Sequence, residues 1–309
     1  MKRKTNYVLC RPNGGLSDNL VTIARCLAYA KRTNRVLVVD ARNSHFAKDY
    51  SRVFRWASPS VHMLRLPASL ARDMDKWTCF RPEITGRVSN YETRTLLHPK
   101  ISTLEYRIII DNKSDVILNF DFDADYSEQV LIYDNHSAGV MSPIDGLREL
   151  KLRWTWKIRV WWRLRRLRRR EYVGLHLRNT DLKSDVQATF DLVREKVSGK
   201  TLVVCSDNQS VLDMANDFFT DAHVVTPSHI GDRGGKPYQL PFIEGRRASM
   251  KLTLDTLVDL IAMGLARELF VARIVNRCEE VSGFSSLCQS LQREQQVVTQ
   301  LTGMNFGVR

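Results

Sequence analysis

Glu171-Tyr-Val-Gly-Leu-His-Leu-Arg-Asn-Thr-Asp181 is the stretch whose reading decides the fold of this chain. Val173, Leu175 and Leu177 alternate with Tyr172, Gly174 and His176, so the segment is expected to be a short buried strand with both faces covered. It ends in Arg178-Asn-Thr-Asp181, a polar turn. In open α/β sheets ligands bind beyond the carboxyl ends of the strands, which makes a charged cluster here a candidate site. Arg178 offers a planar fork of donors that suits a phosphate or diphosphate. A structural ion pair of Arg178 with Asp181, closing a loop, satisfies the same local sequence.

Downstream, the pattern repeats. Phe190 to Val197 is expected to be helical, Thr201 to Ser206 a buried strand ending in Asp207, Val211 to Phe219 a helix and His223 to Thr226 a strand. The loop from Pro227 to Arg247 carries Gly231, Gly234, Gly235, Pro237, Pro241 and Gly245, and its length suits a lid or a plain surface loop. Its Arg233, Lys236, Arg246 and Arg247 suit an anion. Ala248 to Leu265 reads as an amphipathic helix with Asp255 and Asp259 one turn apart. That pair fits acid/base groups, acceptors for a base edge or ribose, or merely solvent-facing carboxylates. Leu269 to Ala272 and Val281 to Ser286 follow, and Ser285 and Ser286 are expected to open a helix over Leu287 to Gln296. Hydroxyls there cap a helix or bind phosphate.

Upstream, Tyr7 to Cys10 reads as a strand, Asn19 to Thr33 as a helix and Val36 to Asp40 as a second buried strand. This is a β-loop-α-β unit of the doubly wound kind. Gly14 and Gly15 before the helix allow backbone amides to approach an anion or sugar, or simply make a tight turn. They do not form the G-x-G-x-x-G of a dinucleotide fingerprint. Between residues 41 and 150 the pattern is weaker. Val116 to Phe120 and Gln129 to Tyr133 are expected strands, and Trp56, Trp77 and Phe80 are expected in the core.

A chain of 309 residues suggests two domains, and 43% hydrophobic with 26% charged residues is ordinary for a globular protein. The net charge of +13 is local: residues 151–170 hold ten Lys and Arg and no acid, and without them the charge falls to +3. The basic excess therefore describes one segment and disfavours a general nucleic-acid-binding domain. Within it, Leu152, Trp154, Trp156, Ile158, Val160, Trp162 and Leu164 alternate like a strand, yet Trp154, Ile158, Trp161 and Trp162 also share a helix face. A helix bridging two domains is the favoured reading. Its surface suits anionic lipid or a lipid-linked acceptor, or is a solvated linker with packed Trp residues. Cys10, Cys26, Cys79, Cys205, Cys278 and Cys288 show no metal spacing, and a reduced, cytoplasmic chain is expected. No apolar run reaches membrane-spanning length.

Taken together, three stretches carry a family resemblance. His176-Leu-Arg-Asn-Thr-Asp181 resembles an H-x-R-x-x-D motif, Leu202-Val-Val-Cys-Ser-Asp207 a strand-Ser-Asp motif, and Asp259 followed by Ser282-Gly-Phe-Ser-Ser-Leu-Cys288 a third motif. Gly14-Gly-Leu-Ser-Asp-Asn19 resembles the same family's glycine loop. The set resembles the GDP-fucose-dependent fucosyltransferases: the alpha-1,6 enzymes, including the rhizobial nodulation type, the alpha-1,2 enzymes and the protein O-fucosyltransferases. The likeness covers about residues 6–40 and 171–291.

The resemblance implies an α/β fold of the GT-B type, two Rossmann-like domains facing a cleft. Residues 1–150 would form the acceptor side, 151–170 a linker helix and 171–309 the nucleotide-sugar domain. It implies that Arg178 holds the β-phosphate, that His176 and Asp259 face the guanine, that Asp207 lies near the ribose and that Ser285 and Ser286 donate to phosphates. Gly14 and Gly15 would approach the donor. Asp18, Asp181 and Asp185 are the candidate bases. The donor would be GDP-fucose, the acceptor a glycan of a surface polysaccharide, lipid-linked or lipochitin oligosaccharide, and no metal or other cofactor would be needed. Asn179 stands where many eukaryotic members have a second arginine, and Asp18-Asn19 replaces the commoner Asn-Gln. A bacterial-type cytoplasmic enzyme, peripheral to the inner membrane through 151–170, is the expectation. Its rivals are the same fold with another nucleotide sugar or acceptor, and a non-catalytic basic protein binding membrane or nucleic acid.

Overall fold

A computed structural model of the chain describes residues 5–98, 106–135, 141–167, 171–180, 182–228, 246–275 and 281–304. They form two compact units, residues 1–150 and 151–309.

The first unit runs β1 (Tyr7–Pro12), α1 (Leu16–Arg32), β2 (Val36–Val39), α2 (Tyr50–Val53), β3 (Phe54–Trp56), α3 (Ala68–Met74), β4 (Thr93–His98), β5 (Tyr106–Asp111), β6 (Val130–Asn135) and α4 (Pro143–Arg148). Strands β2, β1 and β6 make a parallel sheet in that order, with Val8 opposite Leu37 on one side and Leu131 on the other. Parallel strands are covered on both faces, which is why Val8, Leu9 and Cys10 are all apolar and all buried. On one face Leu9, Val38, Val130 and Ile132 pack with Met74, Ile84, Tyr91 and Leu118.

The expected strand at Val116–Phe120 is not formed. Asp111 accepts the amides of Lys113 (3.2 Å) and Ser114 (2.8 Å), folding the chain into a tight turn straight after β5. Beyond the turn the chain meets β5 at a single bridge, Ile110 with Ile117, and Leu118 turns its carbonyl to the amide of Asp134 (3.0 Å) instead. The β4–β5 hairpin, with Thr95 opposite Ile109, was not legible in the sequence pattern.

The strand β7 (Leu150–Leu152) lies at the boundary, and the second unit continues with α5 (Trp154–Leu164), β8 (Val173–Leu177), α6 (Val186–Val197), β9 (Thr201–Ser206), α7 (Gln209–Phe218), β10 (His223–Val225), α8 (Arg246–Gly264), β11 (Glu268–Val271), α9 (Gly283–Arg293) and α10 (Gln295–Thr302). Its parallel sheet has the order β10-β9-β8-β11, so β8 is an inner strand, as its apolar run requires. The period-2 reading of β8 holds. Val173, Leu175 and Leu177 join Phe190, Val193, Leu202, Val204, Val211 and Phe219 in one core. Gly174 turns the other way, where an added Cβ would stand 2.9 Å from the Ala266 side chain.

The segment that alternates like a strand is the helix α5, and it belongs to the second unit, packed on α8 through its buried face. The last expected helix is displaced. The chain turns at Ser282, whose hydroxyl accepts the Ser285 amide at 3.1 Å, so α9 opens at Gly283 and Ser285 and Ser286 lie inside its first turn. Cys10, Cys26, Cys79, Cys205 and Cys288 are buried free thiols, and Cys278 lies outside the described residues. Among the described residues no helix is long and apolar enough to cross a membrane.

In the first unit α1 and α4 approach at Gly146, where a Cβ would lie 2.3 Å from the backbone carbonyl oxygen of Leu20. Backbone cannot swing aside as a side chain can. Gly146→Ala is therefore expected to lower unfolding free energy by about 1–3 kcal/mol, against a small gain from helix propensity. Urea denaturation of the purified variant checks it; a neutral or stabilising result contradicts the close helix contact.

Candidate functional site

At the carboxyl end of the second sheet the chain leaves β8 through Arg178-Asn179-Thr180 and leaves β9 through Asp207-Asn208. The Asp207 carboxylate gathers this end together. Its Oδ2 accepts from Arg178 Nε at 3.2 Å and from the Thr180 hydroxyl, and its Oδ1 accepts the Asn179 amide at 2.8 Å. Asn208 Nδ2 donates to the Asn179 carbonyl at 3.1 Å, and the Ser184 hydroxyl to the Arg178 carbonyl. The turn is thus fixed from both sides. Arg178 keeps 16% of its side chain exposed, against 9% for Asp207, so the cation is the more accessible partner.

His176 lies two residues before the cation on the face that meets α9. Its Nδ1 is 2.8 Å from the Ser285 hydroxyl, which in turn lies 2.8 Å from the Ser282 hydroxyl, and its ring packs on Phe284 at 5.1 Å. Burial, helped by the neighbouring Arg178 charge, pushes the imidazole down to about 3, so it is neutral at physiological pH. Asp259 of α8 is also buried. It accepts from the Cys205 thiol at 3.3 Å and from the Ser228 hydroxyl at 3.0 Å. Burial raises its carboxyl to about 7, with those two hydrogen bonds working in the opposite direction. The site therefore holds a fixed cation, a neutral imidazole and a carboxyl poised near neutrality. This set suits an anion that also presents hydrogen-bonding nitrogen, as a nucleotide does.

The paired carboxylates of α8 are not solvent-facing. Both are buried, and they do different things: Asp255 receives Arg163 Nη2 of α5 at 3.1 Å, which ties α5 to α8. Asp207 lies beside Arg178 as its ion-pair partner. Ser285 is buried within the His176–Ser282 relay, whereas Ser286 is exposed and its amide donates to the Ser282 carbonyl at 2.9 Å. Asp185 is the N-cap of α6 and accepts the Ala188 amide at 3.1 Å. Asp181 lies outside the described residues, as do Arg233 and Lys236 of the long loop. The hydroxyls of Ser228 and Ser282 and the thiol of Cys205 were missed in the sequence reading. Only the position of Ser282 three residues before Ser285 signalled a cap.

Asp18, Gly14 and Gly15 belong to the first unit. Gly14 has φ +85°, and a Cβ on it would stand 2.8 Å from Asp18 Oδ2. That same oxygen accepts the Gly15 amide at 3.3 Å, so the glycine turn is closed by its own carboxylate at the start of α1. Asn19 donates to the Ser44 hydroxyl at 2.6 Å beneath it. The described residues contain no group of three or more His, Cys, Asp or Glu side chains placed to hold a metal ion.

Solved structures share this arrangement of elements. A NodZ alpha-1,6-fucosyltransferase co-crystallised with GDP matches with a TM-score of 0.57 over 93% of each chain, at 15% sequence identity. The same enzyme soaked with GDP-fucose gives 0.56 at 16% identity, again over 93% of each chain. NodZ from Bradyrhizobium gives 0.52 at 16% identity, over 93% of each chain. The fold is similar to that of the NodZ fucosyltransferases. The expected likeness to GDP-fucose-dependent fucosyltransferases is thereby borne out as a likeness of fold: an α/β chain with parallel sheets. No protein-family model matches the sequence, and no curated protein matches it.

The His176 environment makes a signed prediction. Its folded pKa lies below the unfolded value of 6.5, so the stability it contributes is present above pH 6.5 and is lost as pH falls toward 3. Relative to His176→Asn, the wild type is expected to lose about 1.4 kcal/mol of unfolding free energy per pH unit below 6.5. Paired urea titrations across that range measure it. A pH-independent difference would mean that the imidazole is not desolvated.

Proposed function

We propose that the protein is a glycosyltransferase of the GT-B arrangement that transfers fucose from GDP-fucose to a glycan acceptor, with inversion and without a metal ion. The observation that carries this reading is Arg178, a cation oriented by Asp207 at the carboxyl end of β8 and flanked by neutral His176. The likeness of fold to enzymes crystallised with GDP and GDP-fucose supports the donor class.

In the proposed reaction an acceptor hydroxyl oxygen bonds to the anomeric carbon of fucose while the bond from that carbon to the β-phosphate oxygen breaks. The bonding pair leaves on the diphosphate, and Arg178 offsets the charge that develops there, as a metal ion would in other transferases. Because Asp207 holds the guanidinium beforehand, little reorganisation is needed at the moment of bond breaking. The acceptor proton must pass to a base. Asp18, Asp181 and Asp185 are the proposed candidates; Asp18 and Asp185 each also accept a backbone amide at a helix start. Guanine would meet His176 and Asp259, with the carboxylate accepting from its N–H edge, and the exposed Ser286 would donate to phosphate at the start of α9. In this scheme residues 171–309 carry the donor and 1–150 the acceptor side.

Two measurements test the reading. Calorimetric titration in EDTA is expected to show GDP binding, with UDP and ADP much weaker, and Arg178→Ala should cut transfer by roughly 10²–10³ fold. Equal binding of all three nucleotides would remove the donor assignment. The second concerns Asp259, whose carboxyl stands near 7 in the free protein. Accepting guanine N–H groups requires the ionised form, so GDP affinity should fall below pH 7, by up to about tenfold per unit, with one proton released on binding. Asp259→Asn should weaken GDP binding and remove the pH slope; a slope that persists in this variant places the titrating group elsewhere.

A further inference from the structure

The helix α5 is apolar on two faces, and packing in the second unit uses one. Trp156, Val160 and Leu164, one turn apart, are buried. Trp154, Ile158 and Trp162, also one turn apart, form a second stripe about 160° around the helix from the first, at 71%, 36% and 53% exposure. Folding of this unit leaves that second stripe in water, about 12 Å long from end to end. Large exposed apolar side chains gathered on one ridge mark a contact surface.

Charge narrows the occupant. Residues 151–167 carry seven Lys and Arg and no acid, and Arg153, Arg159, Arg165 and Arg166 are exposed around the ridge. Arg165 lies over the Trp162 ring at 4.5 Å, keeping a cation beside the indole. Indoles and an isoleucine along one ridge with arginines at its borders fit the boundary between headgroups and acyl chains, where the ridge enters hydrocarbon and the guanidinium groups remain among phosphates. A nucleic-acid backbone would take the arginines but leave Ile158 without an apolar partner.

We propose that the Trp154–Ile158–Trp162 ridge of α5 is a membrane-docking face that binds anionic lipid bilayers peripherally. It stands apart from the donor assignment, because none of these residues touches the His176–Arg178–Asp207 cluster. Lipid-linked substrates would then be met at the bilayer surface.

Flotation of the full chain with vesicles provides the test. Vesicles of phosphatidylcholine with about one third phosphatidylglycerol are expected to bind it at least tenfold more strongly than phosphatidylcholine alone. Trp154→Ala with Ile158→Ser and Trp162→Ala should reduce that partition roughly tenfold or more, with an unchanged circular dichroism spectrum and GDP titration. Arg165→Gln with Arg166→Gln should lower binding and its salt sensitivity while the ridge remains. Equal partition of the wild type and the ridge variant overturns the proposal. So does displacement of bound protein from vesicles by a duplex oligonucleotide at matched phosphate concentration.

Discussion

The carboxylate of Asp207 receives three donors from a single turn of chain: the Arg178 guanidinium, the Asn179 amide and the Thr180 hydroxyl. The carboxyl end of the second sheet depends on this convergence. A pair that is mostly buried gains little net stability, since desolvating both charges offsets most of their attraction. What it supplies is position. With Asp207 in place the guanidinium cannot swing freely, and the backbone between β8 and α6 is held by the same group. Loss of that carboxylate would remove this ion pair and release the turn at the same time.

Behind this turn, the face of β8 opposite the apolar core carries polar chemistry in a dry setting. His176 is neutral because a charge there would be both desolvated and next to Arg178. Asp259 is held near neutrality by burial, with Cys205 and Ser228 as its donors. The two shifts have opposite consequences for folding. His176 disfavours the folded state as pH falls below 6.5, whereas Asp259, protonated more readily in the fold than outside it, disfavours the folded state as pH rises from 3.8 toward 7. Ligand donors that favour the Asp259 carboxylate would offset the second penalty, which couples occupancy of the site to its protonation.

The alternation in β8, the apolar runs of β1, β2 and β9 and the helical spacing after each were enough to read two parallel-sheet units, because buried parallel strands leave a strong local signal. Arg178 and Asp207 were legible as site candidates at strand ends, Asp259 and Ser285 only with structural alternatives beside them, and His176 through the family resemblance. Their partnerships were not legible. Asp255 and Asp259 look equivalent in sequence, yet α5 supplies Arg163 to one while β9 and the segment after β10 supply Cys205 and Ser228 to the other. Contacts across 31 to 92 residues are set by packing and leave no trace in local periodicity. The failed strand at Val116–Phe120 has the same origin: its composition favours extension, but the turn made by Asp111 decides its register.

The first unit shows an arginine at the end of a parallel strand that is wholly buried. Arg11 near the end of β1 is fully buried, donates to Asp40 at 2.8 Å and to the Val88 carbonyl at 3.0 Å, and lies over the Tyr91 ring at 4.0 Å. Tyr91 continues to Asp134, whose carboxyl burial raises to about 6. That guanidinium is fully enclosed by its own fold. Arg178 lies one residue beyond its strand instead of within it, pairs with Asp207 and keeps 16% of its side chain exposed. A displacement of one residue past the sheet edge separates a core cation from one that can meet an outside anion. The address at the strand end is common to both, and the degree of enclosure is what makes the second unit's arginine the candidate for binding.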